Sequence, residues 1–181
     1  MNFLALFLLL GALTDALALT AVPSTACEIA TTTTASVATN LRLEFEVAGV
    51  ARELRVHVAA GLGRTPPPPL VMQFHGGGAR DPYMQEHLSQ LANRSATLGV
   101  AVASMAGVGI GAAQLLRTWN AGACCGAQPV DDVAYVRAAL VNLDKRICFD
   151  RARVYATGFS NGGQVSCFSL FFAFWININY C

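Results

Sequence analysis

The residues best placed to do chemistry form the run GFSNGG at positions 158–163, which contains the pattern G-x-S-x-G. In this pattern the serine occupies a sharp strand-to-helix turn that lifts its hydroxyl out of the sheet. Gly158 and Gly162 are expected to avoid side-chain clashes across that turn. The helix start behind it favours the negative charge of an acyl-transfer intermediate. Ser160 is therefore the candidate catalytic nucleophile.

A second glycine-rich run, HGGG at positions 75–78, follows an apolar segment that reads as a strand. Its flexible backbone suits the donation of N–H groups to an oxyanion, and Gly76 and Gly77 are the candidates. The N–H of Asn161, the residue after the serine, is the expected second donor. The alternative is a simple glycine-rich turn. In either case we expect His75 to be a structural loop residue rather than a catalytic base.

The elements that must position these groups can be predicted from periodicity. Segments 41–47 and 54–58 alternate apolar and polar residues around Gly49, which predicts a hairpin. Apolar runs predict strands at 70–74, 100–104 and 153–157, and helices are predicted over 84–98, from Asp131 or Asp132 onward, and after Ser160. Strands that alternate with helices predict an α/β fold with a mostly parallel sheet and helices on both faces.

Composition narrows the class of protein. The chain has 181 residues, enough for one ordinary domain, and 54% of them are hydrophobic while 13% are charged. These values exclude a disordered chain and a coiled coil. A net charge of +1 gives no electrostatic footprint for nucleic acid, so no nucleic-acid partner is expected. The adjacent Cys124 and Cys125 lack the spacing of metal ligands, so no metal is expected.

The amino end reads as a targeting segment. Residues 1–26 carry one charged side chain, and the apolar run 3–13 has the length of a signal peptide. Small residues spaced as at cleavage sites predict processing after Ala18 or after Ala26; an uncleaved signal anchor is the alternative. Residues 27–40 read as a linker. Delivery to an oxidising, extracellular compartment would allow disulfides, and Asn93 then begins a candidate glycosylation sequon.

Three motifs together carry a resemblance to a known family. The runs WNAGACCG at 119–126, VDDV at 130–133 and VYATGFSNGG at 154–163 resemble secreted polyhydroxybutyrate depolymerases and feruloyl esterases, a family of α/β-hydrolases. The resemblance extends from about Arg42 to about Cys167. It implies a carboxylic ester hydrolase acting on polymer-bound or phenolic esters, with Ser160 as nucleophile and no cofactor. It also implies a disulfide from the loop of Cys124 and Cys125 to the helix after the serine, with Cys167 as the candidate partner.

The chain departs from the family after the serine. An α/β-hydrolase places its acid and then its histidine after the nucleophile, but the 21 residues after Ser160 include no Asp, Glu, His, Lys or Arg. The three histidines, His57, His75 and His87, all lie upstream, and we expect His57 and His87 at the surface. We therefore expect a partial domain over 41–167 that lacks later strands, with an atypical apolar tail at 168–181.

An incomplete chain, through a truncated gene model, a retained intron or a frameshift, explains this ending, and a genuine short isoform is the alternative. The expected partner is an ester substrate, with no membrane contact beyond the signal segment; the oligomeric state stays open. Such a chain is expected to be a poor catalyst, because a serine hydroxyl needs an adjacent base. A serine peptidase of the same fold and a non-catalytic secreted binding protein on this scaffold are the competing functions.

Overall fold

The structure is a computed structural model that describes residues 21–29, 38–62, 65–110, 113–122, 124–125 and 129–172. The part of the predicted signal segment before residue 21, most of the predicted linker and the end of the predicted tail lie outside the described residues. The strands are β1 (Thr39–Val47), β2 (Val50–Val58), β3 (Leu70–Phe74), β4 (Ala101–Met105), β5 (Val108–Ile110), β6 (Leu115–Thr118) and β7 (Val154–Gly158). The helices are α1 (Thr25–Ile29), α2 (Met84–Ser89), α3 (Ser95–Leu98), α4 (Asp132–Asp144) and α5 (Asn161–Phe172).

A five-stranded sheet with the order β1-β2-β4-β3-β7 forms the centre of the molecule. β3 pairs in parallel with β4 on one side and with β7 on the other. β1 and β2 form the predicted hairpin, and β2 pairs antiparallel to β4. The sheet is therefore mixed rather than mostly parallel, because the hairpin joins it as two antiparallel strands. β5 and β6 pair with each other outside this sheet.

The helix predicted over 84–98 is wrong as a single element. α2 ends because Gln90 adopts the left-handed conformation with φ of 55°, and α3 begins only at Ser95. The helix predicted from Asp131 or Asp132 is confirmed as α4. Asp131 caps α4, since its carboxylate accepts a hydrogen bond from the N–H of Ala134 at 2.8 Å. Capping chemistry was therefore readable from the sequence, whereas a left-handed glutamine was not.

Helices cover both faces of the sheet. Successive residues of β3 point to opposite faces. The amide oxygen of Gln73 accepts a hydrogen bond from the Ser89 hydroxyl of α2 at 2.6 Å. The next residue, Phe74, packs edge-on against Trp119, which in turn stacks on Tyr135 of α4. α2 and α4 therefore lie on opposite faces, and α5 packs beside α4.

The strands that follow β3 in the chain, β4 and β7, lie on opposite sides of β3 in the sheet. The chain passes from β3 through α2 and α3 to β4 on one side, and then through α4 to β7 on the other side. In open α/β sheets ligands bind outside the carboxyl ends of the strands where the strand order reverses in this way. Here that crevice lies where β3 ends at Phe74 and β7 ends at Gly158, the two strands that carry the predicted glycine loop and serine.

Residues 21–29, here called the strap, pack beside the amino end of β7, at the end of the strands opposite to Ser160. The strap includes α1, and a disulfide joins its Cys27 to Cys148. Pro23 forms a bridge with Asp150, directly before β7. The sequence interpretation divided this segment between a signal peptide ending at 26 and a linker at 27–40. In the structure the segment has a defined place against the domain, and β1 begins at Thr39.

Candidate active site

Ser160 lies at a sharp turn between β7 and α5. β7 ends at Gly158, α5 begins at Asn161, and the N–H of Gly162 donates a hydrogen bond to the carbonyl of Phe159 at 2.9 Å. Ser160 is exposed and has φ of 53°, in the left-handed region. That conformation costs about 1–3 kcal/mol for a residue with a side chain. This is the backbone geometry that the G-x-S-x-G pattern predicts.

The two glycines that flank the serine leave no room for a side chain. A Cβ on Gly158 would overlap the carbonyl group of Gly162, so the two ends of the turn touch. A Cβ on Gly162 would overlap the carbonyl oxygens of Phe74 and His75 at the end of β3. Gly162 therefore allows the serine turn to pack directly on the strand that carries the glycine loop.

The loop 75–78 lies beside the serine turn. The N–H of Phe159 donates to the carbonyl of Phe74 at 3.2 Å, which extends the pairing of β3 and β7 up to the serine. A Cβ on Gly76 would lie 2.9 Å from the ring of Phe159, and one on Gly77 would lie 3.3 Å from the Cβ of Asn161. The structure thus brings the glycine loop and the start of α5 to one edge of the sheet.

Backbone N–H groups at this edge are suited to stabilising an oxyanion. The N–H of Asn161 has no acceptor within α5, because it belongs to the first residue of the helix. Gly76 and Gly77 contribute the loop on the other side. The positive end of the helix dipole also favours negative charge there. Donors aimed at the developing charge of an acyl-transfer intermediate are worth about 3–4 kcal/mol each.

His75 is a fully buried structural residue with both ring nitrogens occupied. Its Nε2 accepts a hydrogen bond from the N–H of Gly107 at 2.9 Å, which assigns the proton to Nδ1. Nδ1 in turn donates to the carbonyl of Gly76 at 2.8 Å. Burial lowers the pKa of His75, so its neutral form is favoured. The ring therefore has no nitrogen left to take a proton from Ser160.

The same histidine fixes the direction of one candidate donor. The carbonyl of Gly76 and the N–H of Gly77 belong to one planar peptide unit and point in opposite directions. The hydrogen bond from His75 to that carbonyl therefore also sets where the N–H of Gly77 points. His75 thus acts on the candidate oxyanion site through the backbone rather than by direct contact.

Trp119 holds the two halves of the site together. The buried side chain of Asn161 accepts hydrogen bonds from the hydroxyl of Thr118 at 2.9 Å and from the N–H of Trp119 at 2.8 Å. The indole N–H of Trp119 donates to the carbonyl of His75 at 2.7 Å. Sequence reasoning missed this clamp, although a buried tryptophan requires a hydrogen-bond partner for its N–H.

A buried ion pair anchors the clamp to the hairpin. Arg52 of β2 and Asp132 of α4 lie 2.6 Å apart, with side chains 1% and 2% exposed. Asp132 also accepts the N–H of Asn120 at 2.6 Å, and the Arg52 guanidinium lies 3.8 Å from the ring centre of Tyr135. The sequence predicts Asp132 as a candidate helix cap and as part of the VDDV motif, but does not predict its ion pair with Arg52. Loss of one partner from such a pair costs about 3–5 kcal/mol.

The cysteines pair differently from the expected staple. Cys124 pairs with its neighbour Cys125, and Cys27 pairs with Cys148, a pair that sequence reasoning did not identify. Cys167 is also disulfide-bonded. A Cβ on Gly77 would lie 2.7 Å from the Cβ of Cys125, so the cysteine loop lies against the glycine loop. Pairing partners cannot be deduced from cysteine positions alone.

The other histidines have contacts of their own. His57 in β2 is half-buried and lies 2.6 Å from the amide oxygen of Asn40. His87 on α2 is exposed and lies 3.0 Å from Asp81. Neither is hydrogen-bonded to Ser160 in the part of the chain that the structure describes. Asn93, the candidate glycosylation residue, is exposed.

Within the residues that the structure describes, no three His, Cys, Asp or Glu side chains gather closely enough to hold a metal ion. No helix among those residues has the length and apolar character needed to cross a membrane.

Sequence comparison finds similarity to two esterases, while no protein-family model matches the chain. One relative is feruloyl esterase B of Piromyces equi, 32% identical over 117 residues, which are 64% of this chain and 20% of the relative. The other is described as an esterase, NocK, of Nocardia uniformis subsp. tsuyamanensis, 33% identical over 71% of this chain and 36% of the relative. The chain thus spans well under half of either relative.

Solved structures show the same architecture. A ferulic acid esterase matches with a TM-score of 0.52 at 15% identity, over 72% of this chain and 54% of that chain. A cold-adapted esterase from an Arctic intertidal metagenomic library, solved as a complex with polyethylene glycol, matches with a TM-score of 0.51 at 20% identity, over 75% and 56%. The fold is therefore α/β-hydrolase-like. The sequence relatives and both of these solved structures are themselves described as esterases.

Proposed function

We propose that Ser160 is the nucleophile of a secreted carboxylic ester hydrolase of the feruloyl esterase or polyhydroxybutyrate depolymerase type. The observation that carries the proposal is the left-handed backbone of Ser160, at the start of a helix and beside the loop of Gly76 and Gly77. Strained backbone at an exposed serine points to function. Similarity to feruloyl esterase B supports the choice of ester chemistry.

In the proposed reaction the Ser160 hydroxyl and the neighbouring backbone N–H groups have different roles. The Ser160 oxygen attacks the ester carbonyl, and its proton passes to a base. The carbonyl oxygen becomes an oxyanion that accepts hydrogen bonds from Asn161 and from the Gly76–Gly77 loop. Collapse of the intermediate then releases the alcohol and leaves an acyl group on the serine, which water removes.

The proposal includes a gap in the acid–base machinery of the chain as given. No Asp, Glu or His follows Ser160 in the 181 residues, and the hydrogen bonds of His75 occupy both of its nitrogens. Among the residues that the structure describes, the partners of the three histidines do not include Ser160, so none of them is in place to take the serine proton. We expect Ser160 and the oxyanion donors to be correctly arranged, but we expect the 181-residue chain to hydrolyse esters slowly.

A second candidate is a non-catalytic secreted protein that binds esters on a hydrolase scaffold, which the two bonded ring nitrogens of His75 favour. The two candidates differ in what an extended coding sequence would contain. An Asp and a His in frame beyond the codon for Cys167 would support the hydrolase. Ester binding without turnover by the product of a full-length transcript would support the binding protein.

A phenolic ester assay tests the state of the 181-residue chain. Purified protein and the Ser160→Ala variant are given a short phenolic ester, and release of the phenol is measured. We expect equal rates near the background, because the hydroxyl lacks a base. Robust turnover that Ser160→Ala abolishes would contradict the expected inactivity and would mean that an upstream histidine serves as base.

Secretion is part of the proposal and rests on two observations. The apolar run 3–13 with small residues after it suits a signal peptide. The Cys27–Cys148 disulfide suits an oxidising compartment. The exposed side chain of Asn93 is accessible to a glycan.

A further inference from the structure

The strap forms hydrogen bonds that a cut after Ala26 would remove. The carboxylate of Asp150 accepts the N–H of Val22 at 2.8 Å. The carbonyl of Val22 accepts the N–H of Arg151 at 2.7 Å, and the N–H of Ser24 donates to the carbonyl of Phe149 at 2.8 Å. The strap therefore pairs, residue by residue, with the turn that leads into β7.

Ser24 is the centre of this contact. The residue is fully buried, and its hydroxyl donates to the carbonyl of Ile147 at 2.8 Å and accepts the N–H of Phe149 at 3.1 Å. Without Ser24, the carbonyl of Ile147 and the N–H of Phe149 would lose these hydrogen bonds within the protein. Hydrogen bonds made inside the fold add to its stability, so we expect their loss to destabilise the domain.

The next residues of the strap continue the contact. The hydroxyl of Thr25 donates to the carboxylate of Asp144 at 2.6 Å and accepts a hydrogen bond from Arg151 at 2.7 Å. Ala26 is buried, and Cys27 is bonded to Cys148. Residues 22–27 thus form one continuous attachment, of which only the last residue would remain in a chain that begins at Cys27.

From this attachment we infer that the mature protein begins at Leu19, through cleavage after Ala18 rather than after Ala26. The inference rests on the export that is part of the proposed function. Both positions satisfy the small-residue spacing of a cleavage site in the sequence. Of the two cuts, only the one after Ala18 leaves Val22, Ser24 and Thr25 on the folded domain.

The first residue of the exported chain tests the inference. The full chain is expressed in a secreting host, and the amino terminus and intact mass of the secreted protein are determined. We expect Leu19 as the first residue. A start at Cys27 or at Met1 would overturn the inference. The readout does not depend on ester turnover, so an inactive protein that begins at Leu19 still supports it.

Two matched variants locate the cut. Ala18→Arg places a large charged residue directly before the proposed cut, and Ala26→Arg does the same at the rejected position. We expect Ala18→Arg to abolish the Leu19 start and Ala26→Arg to retain it, because processing precedes folding. The opposite pattern would overturn the inference.

A stability comparison tests the structural reason separately. Chains that begin at Leu19 and at Cys27 are produced directly, and their urea unfolding midpoints are compared. The Leu19 chain is expected to unfold at the higher urea concentration. Equal midpoints would overturn the role given to the strap.

Discussion

The backbone and the polar groups differ between the two ends of the central strands. The carboxyl ends of β3 and β7 are here called the serine edge, and the amino ends are called the strap edge. At the carboxyl ends of β3 and β7, Ser160 is exposed in a left-handed conformation and Phe159 is 61% exposed. At the amino ends, Ser24 and Asp150 are fully buried, and each makes several hydrogen bonds to the turn that precedes β7. The serine edge thus has a strained, exposed residue, whereas the buried polar groups of the strap edge all have hydrogen-bond partners.

The difference favours the edge of Ser160 as the functional one, as proposed above. Natural proteins satisfy the local rules of folding almost everywhere and break them at functional sites, where neighbouring structure supports the cost. The clamp through Trp119 and the disulfide of the strap are that support here. Changes at the strap edge should therefore affect stability, whereas changes at the serine edge should affect the site as well.

Removal of the strap disulfide is expected to have the largest effect on stability. The bond joins residues 121 positions apart, so its loss frees a long loop in the unfolded chain. The double variant Cys27→Ser/Cys148→Ser should lower the free energy of unfolding by about 4 kcal/mol. Urea unfolding of the oxidised proteins measures this change.

The matched control is Cys124→Ser/Cys125→Ser, whose bond joins neighbours and encloses almost no chain. Its unfolding free energy should change by less than about 1 kcal/mol, because short loops gain little from closure. Equal losses in the two double variants would contradict the importance given to the strap.

Replacement of Gly162 by alanine is expected to have the next largest effect. The added Cβ would overlap the carbonyl oxygens of Phe74 and His75, so the serine turn would have to move away from β3. Overpacking of this kind costs about 1–3 kcal/mol. Gly163→Ala is the control, since its Cβ would meet its nearest neighbour, the carbonyl oxygen of Gly158, at 3.2 Å. A lower unfolding temperature for Gly163→Ala than for Gly162→Ala would contradict the tight packing of the turn at Gly162.

The two edges should also respond to acid in different pH ranges, with smaller effects. Burial lowers the pKa of His75 from 6.5, so the unfolded chain binds this proton more readily than the folded one. Its contribution to stability is complete above about pH 6.5 and falls as the pH drops through the lower folded-state pKa. The variant His75→Gln should lose this decline.

At the strap edge the corresponding group is Asp150. Burial raises the pKa of Asp150, but hydrogen bonds from Arg153 and from the N–H groups of Val22 and Ala152 outweigh it, and the pKa lies below 3.8. This contribution is complete above about pH 3.8 and falls with further acidification. Unfolding free energies measured from pH 8 to pH 2 should show a smaller lower step in Asp150→Asn than in the wild type. The remainder belongs to Asp144, where hydrogen bonds from Arg151 and Thr25 outweigh burial and also lower the pKa. An undiminished lower step in Asp150→Asn would contradict the assignment.

Local patterns predicted the elements that carry the site. Alternation predicted the hairpin, apolar runs predicted β3, β4 and β7 to within one residue, and Asp131 predicted the start of α4, whereas β5 and β6 were not predicted. The glycines around Ser160 predicted the turn, because only glycine fits where two backbones touch. These features depend on neighbours in sequence, and so they can be read from it.

Contacts between distant segments could not be predicted in this way. The pairing of Ser24 with Phe149, the ion pair of Arg52 with Asp132, and the hydrogen bonds of Trp119 join residues that are far apart in the chain. Nothing in the local pattern around any of them specifies its partner. The sequence therefore predicted the turn that carries Ser160 but not the network that holds this turn in place.

Chemical rescue of the missing base tests the central claim most directly. The 181-residue protein and its Ser160→Ala variant are given a short phenolic ester with increasing concentrations of free imidazole, which can accept the serine proton. We expect a Ser160-dependent rate that rises with imidazole, on the order of tenfold above the variant at saturation. Rates that stay equal in the two proteins at every imidazole concentration would contradict the account. If Ser160 and the oxyanion donors are correctly arranged, imidazole should accept the serine proton and raise the rate.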